Sequence, residues 1–108
     1  MITWQDFEKV EMRVGTVLKV EVFEKAKKPA YKIEVDFGEL GIKKSSAQIT
    51  RLYKPEEIVG KQVIAIVNFP PKRIADFVSE VLILGVVQGE DVILLEPSKK
   101  ANNGAKIA

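Results

Sequence analysis

Lys25, Lys27, Lys28 and Lys32 crowd four ammonium groups into one short run, and Lys43 and Lys44 add a second. Lysine is a point charge on a flexible stem, so such a surface holds a phosphate backbone more readily than it selects a base sequence. The two runs together are a candidate phosphate surface. The plainer alternative is a solvated loop that promotes solubility, partly neutralised by Glu24, Glu34 and Asp36.

Asn68-Phe69-Pro70-Pro71-Lys72-Arg73 joins an amide, an aromatic ring, a stiff diproline and two cations directly after an apolar run. The prolines fix much of its backbone before any ligand arrives. Arg73 could grip phosphate or stack on a base, Asn68 could bond a base edge, and Lys72 adds field. Asn68 could equally cap the strand end through its own backbone, and Phe69 reads as a core residue rather than a stacking platform. Ser79 and Glu80 precede the apolar Val81–Leu84. A serine hydroxyl can donate to phosphate or a 2′-hydroxyl, whereas Glu80 can accept from a base amino group but repels a close phosphate. The alternative for both is an ordinary connector.

Bond-breaking chemistry has little to work with. The chain has no Cys and no His among 108 residues, which removes thiolate nucleophiles, imidazole bases and zinc sites built from those ligands. Glu34 and Asp36 share a strand face and could in principle share a metal or a proton, but their alternation with strongly apolar residues reads as solvent exposure. A Ser45 or Ser46 nucleophile activated by Lys43 or Lys44 lacks any specifying geometry. The expectation is a non-enzyme with no catalytic residue, no metal and no cofactor. A net charge of +2 diagnoses neither a nucleic acid nor a membrane by itself. No stretch approaches the roughly 20 apolar residues of a membrane span, so the expected setting is the cytoplasm, without membrane insertion.

The elements that must position these residues follow from periodicity. Thr3 caps a helix over Trp4 to about Lys9, with Asp6 returning to the cap backbone and Ile2 packing on Phe7. Met12 to Phe23 alternates with period two, with Val14, Thr16, Leu18, Val20 and Val22 expected on one inner face. Tyr31, Ile33, Val35 and Phe37 define the clearest strand, ended by Gly38, and Ile42 to Ile49 is a weaker one. Pro55 and Gly60 bracket a short helix. Gln62 to Phe69 reads as a covered strand stopped by Pro70 and Pro71, and Val81–Val87 and Val92–Leu95 form a last pair.

Five or six strands and little helix predict an all-β class. A five-stranded Greek-key oligonucleotide/oligosaccharide-binding (OB-fold) barrel closes its own edges, with the short helix between the third and fourth strands plugging an open end. Terminal extensions, including the N-terminal helix, flank it, and residues 1–108 read as one domain. Ile2, Trp4, Phe7 and Val10 are more apolar than so short a helix can shield, so packing across a two-fold axis with the tail at Ile107 is the expectation. The competing arrangement folds the helix back onto its own barrel.

Three stretches carry a family resemblance: Met12-Arg13-Val14-Gly15-Thr16-Val17, Phe23 to Gly38, and Asn68 to Gly85. Together with the start Ile2-Thr3-Trp4-Gln5-Asp6-Phe7, they resemble the tRNA-binding domains associated with methionyl-tRNA synthetases and, within them, the CsaA family of export-related chaperones. The resemblance covers essentially the whole chain. It implies an OB-fold barrel whose extensions build a homodimer, and tRNA contacts on the lysine-rich ribbon and at Asn68, Arg73, Ser79 and Glu80. It also implies a chaperone-like protein that binds unfolded or export-destined polypeptides, alongside the export machinery. Polypeptide binding is the leading expectation and structured RNA the alternative.

Overall fold

The structure, a computed structural model, describes residues 1–108. Helix α1 (Trp4–Glu8) begins at the expected capping box: Thr3 Oγ1 accepts from the Asp6 N–H at 3.1 Å, and Asp6 Oδ2 accepts from the Thr3 N–H at 2.9 Å. The expected apolar staple takes another form. Ile2 is 75% exposed, and Phe7 stacks on Trp4 with ring centroids 5.5 Å apart, because residues three apart share a helix face.

Strands β1 (Met12–Val22), β2 (Tyr31–Asp36) and β3 (Ile42–Ala47) form an antiparallel meander, with a 3-10 turn at Gly38–Leu40. Helix α2 (Pro55–Ile58) follows, and β4 (Gln62–Ile66) returns to the free side of β1. Next come a ribbon of β5 (Lys72–Ile74) and β6 (Phe77–Ser79), then β7 (Leu82–Ile83) beside β4, and a ribbon of β8 (Gly85–Gln88) and β9 (Asp91–Leu94). The sheet order β3-β2-β1-β4-β7 is the expected five-stranded Greek-key barrel, nearly closed.

Closure happens where β3 meets the residues just before β7. The N–H groups of Glu80 and Val81 both approach the Lys44 carbonyl, at 2.7 and 3.4 Å. Side chains supply the remaining bonds: Ser79 Oγ accepts from the Ser46 N–H at 3.1 Å, Glu80 Oε1 from the Lys44 N–H at 3.0 Å, and Ser45 Oγ donates to the Val81 carbonyl at 2.9 Å. The core inside is Val17, Ile33, Val35, Phe37, Val63 and Ala65, sealed at one end by Ile58 of α2, which is fully buried. Pro55 opens that helix, and Gly60, at φ 88°, turns the chain into β4.

Three further expectations are corrected. β1 does not keep one inner face: Val17 pairs with Val35 but Lys19 with Glu34, leaving Leu18 as the extra residue of a bulge. A bulge reverses the alternation, so Val17 points into the core and Leu18 is exposed. Val14 is buried on the other face, and its backbone pairs with the C-terminal tail: the Gly104 N–H donates to the Val14 carbonyl at 2.7 Å while the Ala105 carbonyl accepts from the Val14 N–H at 2.9 Å. Second, the strand expected over Val81–Val87 breaks at Leu84, whose N–H donates to the Ile64 carbonyl at 2.9 Å before the chain leaves for β8. Third, Lys72–Ser79, assigned to no element from sequence, is a hairpin.

Candidate nucleic-acid interface

Between β1 and β2 the chain makes a lysine-rich loop, closed at its base by a bond from the Phe23 N–H to the Ala30 carbonyl at 3.0 Å. Phe23 is buried and meets Phe77 of β6 edge to face, with centroids 5.4 Å apart. That aromatic contact fastens the loop to the β5–β6 hairpin. Lys25 Nζ reaches Asp76 Oδ2 at the hairpin tip, 2.8 Å away. The hydrogen bond and the opposite charge hold the Lys25 pKa above its ordinary value and Asp76 below its own.

The loop and the hairpin frame a hollow of about 610 Å³ lined by Lys25, Lys27, Lys28, Lys72 and Arg73, with Gln48 on its wall. Two charge clusters far apart in the chain thus meet in one place. Lys27, Lys28 and Lys72 have no carboxylate partner, and Arg73 donates only through Nε, to the Ala75 carbonyl at 3.2 Å. A second hollow shares Lys28 and Gln48 and adds Arg51, which is tied to Asp91 at 2.8 Å and Glu90 at 3.4 Å.

The other expected contacts lie elsewhere. Lys32 stands over the rings of Phe23 and Phe77, 5.8 and 6.0 Å from their centroids, and Lys44 lies 5.7 Å from the Phe77 centroid. Their surroundings include Lys19, Glu21 and Glu34. Lys19 bonds Glu21 at 2.7 Å and lowers its pKa, so charge of both signs alternates there. Lys43 and Lys44, neighbours on β3, point to opposite faces and do not act as a pair. Asn68 uses its amide on backbone, accepting from the Glu11 N–H at 3.0 Å and donating to the Lys9 carbonyl at 2.7 Å. This ties the α1–β1 junction to the end of β4. Ser79 and Glu80 sit in the barrel seam. Sequence reasoning missed Gln48, Arg51 and Asp76; Arg51 and Asp76 carried a charge signal, but nothing in their spacing tied them to the lysine loop.

Residues 12–106 match the family described as "Putative tRNA binding domain". The CsaA chaperone of Bacillus anthracis str. Ames overlays with a TM-score of 0.96 at 52% identity, covering 100% of this chain and 99% of that one. The CsaA chaperone protein of Picrophilus torridus does so with a TM-score of 0.95 at 52% identity, covering 100% of both. The chain belongs to the CsaA family of tRNA-binding-domain proteins. It is also 35% identical over 108 residues to the methionine–tRNA ligase of Methanococcoides burtonii, a match that takes in 99% of this chain and 16% of the ligase. It therefore spans about one-sixth of the length of that ligase.

Two apolar features accompany this family fold. Phe69, Pro70, Val81 and Leu82 line a hollow of about 270 Å³ beside Lys72, Ser79 and Glu80. At the N-terminus Trp4 is 73% exposed and Val10 is exposed, while Phe7 is half-buried. Ile107 is half-buried and pairs with its own barrel, its N–H donating to the Met12 carbonyl at 2.9 Å. No helix is long and apolar enough to cross a membrane.

Proposed function

We propose that the protein is a non-enzymatic, homodimeric binding protein of the cytoplasm that holds structured RNA of the tRNA class on its basic hollow. The observation that carries this reading is the convergence of Lys27 and Lys28 with Lys72 and Arg73 around one cavity. A lysine loop kept only for solubility has no need of a second cationic segment folded against it. Ammonium groups without carboxylate partners are ready to replace counterions on phosphate, and each such contact steepens the salt dependence of binding.

The test is anisotropy of labelled tRNA across roughly 50 to 200 mM salt. The K27Q/K28Q/K72Q variant should lower the slope of log K against log salt by about two to three, with its urea midpoint unchanged. An unchanged slope in that variant removes this reading.

A second reading, binding of unfolded or export-destined polypeptides next to the export machinery, is favoured by two things. Two whole-chain structural relatives at 52% identity are named chaperones, and the hollow at Phe69, Pro70 and Leu82 exposes apolar surface of the kind a peptide side chain fills. On this reading F69S/L82S loses suppression of client aggregation while K27Q/K28Q/K72Q retains it. The reverse pattern assigns any such suppression to the basic hollow.

A further inference from the structure

Lys25 and Asp76 lie 51 residues apart in sequence, yet they join the two loop tips that frame the basic hollow. Their side chains remain 69% and 63% exposed, so the pair sits on the rim, where an incoming ligand meets it. We propose that Asp76 is a built-in counter-anion: its carboxylate occupies Lys25 in the free protein and is displaced by an RNA phosphate, so that it limits how many phosphates the hollow engages. This deepens the RNA-binding reading above and rests on it.

Three observations carry the assignment. Of the charged residues at the hollow, Lys25 alone is already bonded to a carboxylate, at 2.8 Å, the distance at which an ammonium would hold a phosphate oxygen. An ion pair between exposed groups is weak in water and exchanges readily, so phosphate can take the carboxylate's place. The tip is also held in position: Ala75 adopts φ 53°, a left-handed conformation that a residue with a Cβ avoids unless its surroundings impose it. Those surroundings are the Ile74–Phe77 pairing and the Phe23–Phe77 contact.

Asp76→Asn keeps the shape and removes the charge. Lys25 then carries a mobile counterion instead of a fixed one, and releasing it on binding adds a phosphate contact to the salt dependence. With labelled tRNA, D76N should steepen the slope of log K against log salt by about 0.7–0.9 and tighten binding roughly threefold near 0.1 M salt. Glu39→Gln makes the same charge change in the exposed 3-10 turn between β2 and β3, away from the lysine loop, and should leave the slope as it is. K25Q/D76N should show no steepening over K25Q, which a merely structural role for Asp76 does not predict.

A D76N slope equal to wild type, or one matched by E39Q, overturns the counter-anion while leaving RNA binding in place. Wild-type protein that fails to bind tRNA at all overturns both.

Discussion

Ser45 Oγ donates to the Val81 carbonyl at 2.9 Å, with both residues shut off from solvent, and the bond spans the gap where β3 and β7 share no regular ladder. A barrel closed partly by side chains depends on each of them. Ser45→Ala leaves a buried carbonyl without that donor and should cost about 1–3 kcal/mol. In urea this appears as a lower midpoint at unchanged m-value. Wild-type stability in S45A would show that the backbone contacts of Glu80 and Val81 close the seam unaided.

Much of this fold could be read from the chain. The Thr3–Asp6 capping box, the alternation of Tyr31, Ile33, Val35 and Phe37, and the Pro55–Gly60 bracket are local signals, and each sits where it points. The bulge at Leu18 was hidden because Val17 and Leu18 are both apolar, so the pattern reads equally well in either phase. The β5–β6 hairpin was hidden because its strands have three residues each and its tip lacks the glycine that usually marks one. The site follows the same division. Each cationic cluster was visible alone, but their meeting depends on the Phe23–Phe77 contact. Ser79 and Glu80 read as a polar loop because nothing local announces that β3 lies against them.

Gly15 sits where β1 crosses closest to the core. A Cβ there would lie 2.5 Å from Val35 Cγ1 and 2.8 Å from two ring carbons of Phe37, and neither side chain has solvent to move into. Gly15→Ala should destabilise by about 1–3 kcal/mol through overpacking. Combining it with Val35→Ala should cost less than the sum of the two single changes, since the second makes room for the first. Strict additivity in denaturant titrations would place the strain elsewhere.

Tyr31 donates its hydroxyl proton to the Tyr53 carbonyl at 2.7 Å, and burial, helped by the carboxylates of Glu56 and Glu57, raises its pKa above the ordinary value of 10.0. A folded-state pKa above the unfolded one favours the protonated form in the native state. The stabilisation is therefore complete below the unfolded pKa and is lost as pH rises through the folded one. Urea midpoints should hold up to about pH 9 and decline above about pH 10. Tyr31→Phe should flatten that decline while costing about 1 kcal/mol at neutral pH. Tyrosine ring carbons labelled for NMR would report the titration directly, and an ordinary value at Tyr31 would contradict the burial argument.

Helix α1 has five residues and buries none of them, far below the length at which a helix persists alone in water. Within the protomer it is held by its capping box and by the Asn68 amide at its C-terminal side, while Ile2 and Trp4 stay 75% and 73% exposed. Association across a two-fold axis would give those side chains a place to go, consistent with the homodimer proposed above. Light scattering at low micromolar concentration should then return twice the chain mass for wild type and a single mass for I2S/W4S, with the barrel's near-UV signal from tyrosine retained. Wild type of single-chain mass would leave α1 as an unpartnered appendage and remove the dimer from the proposed function.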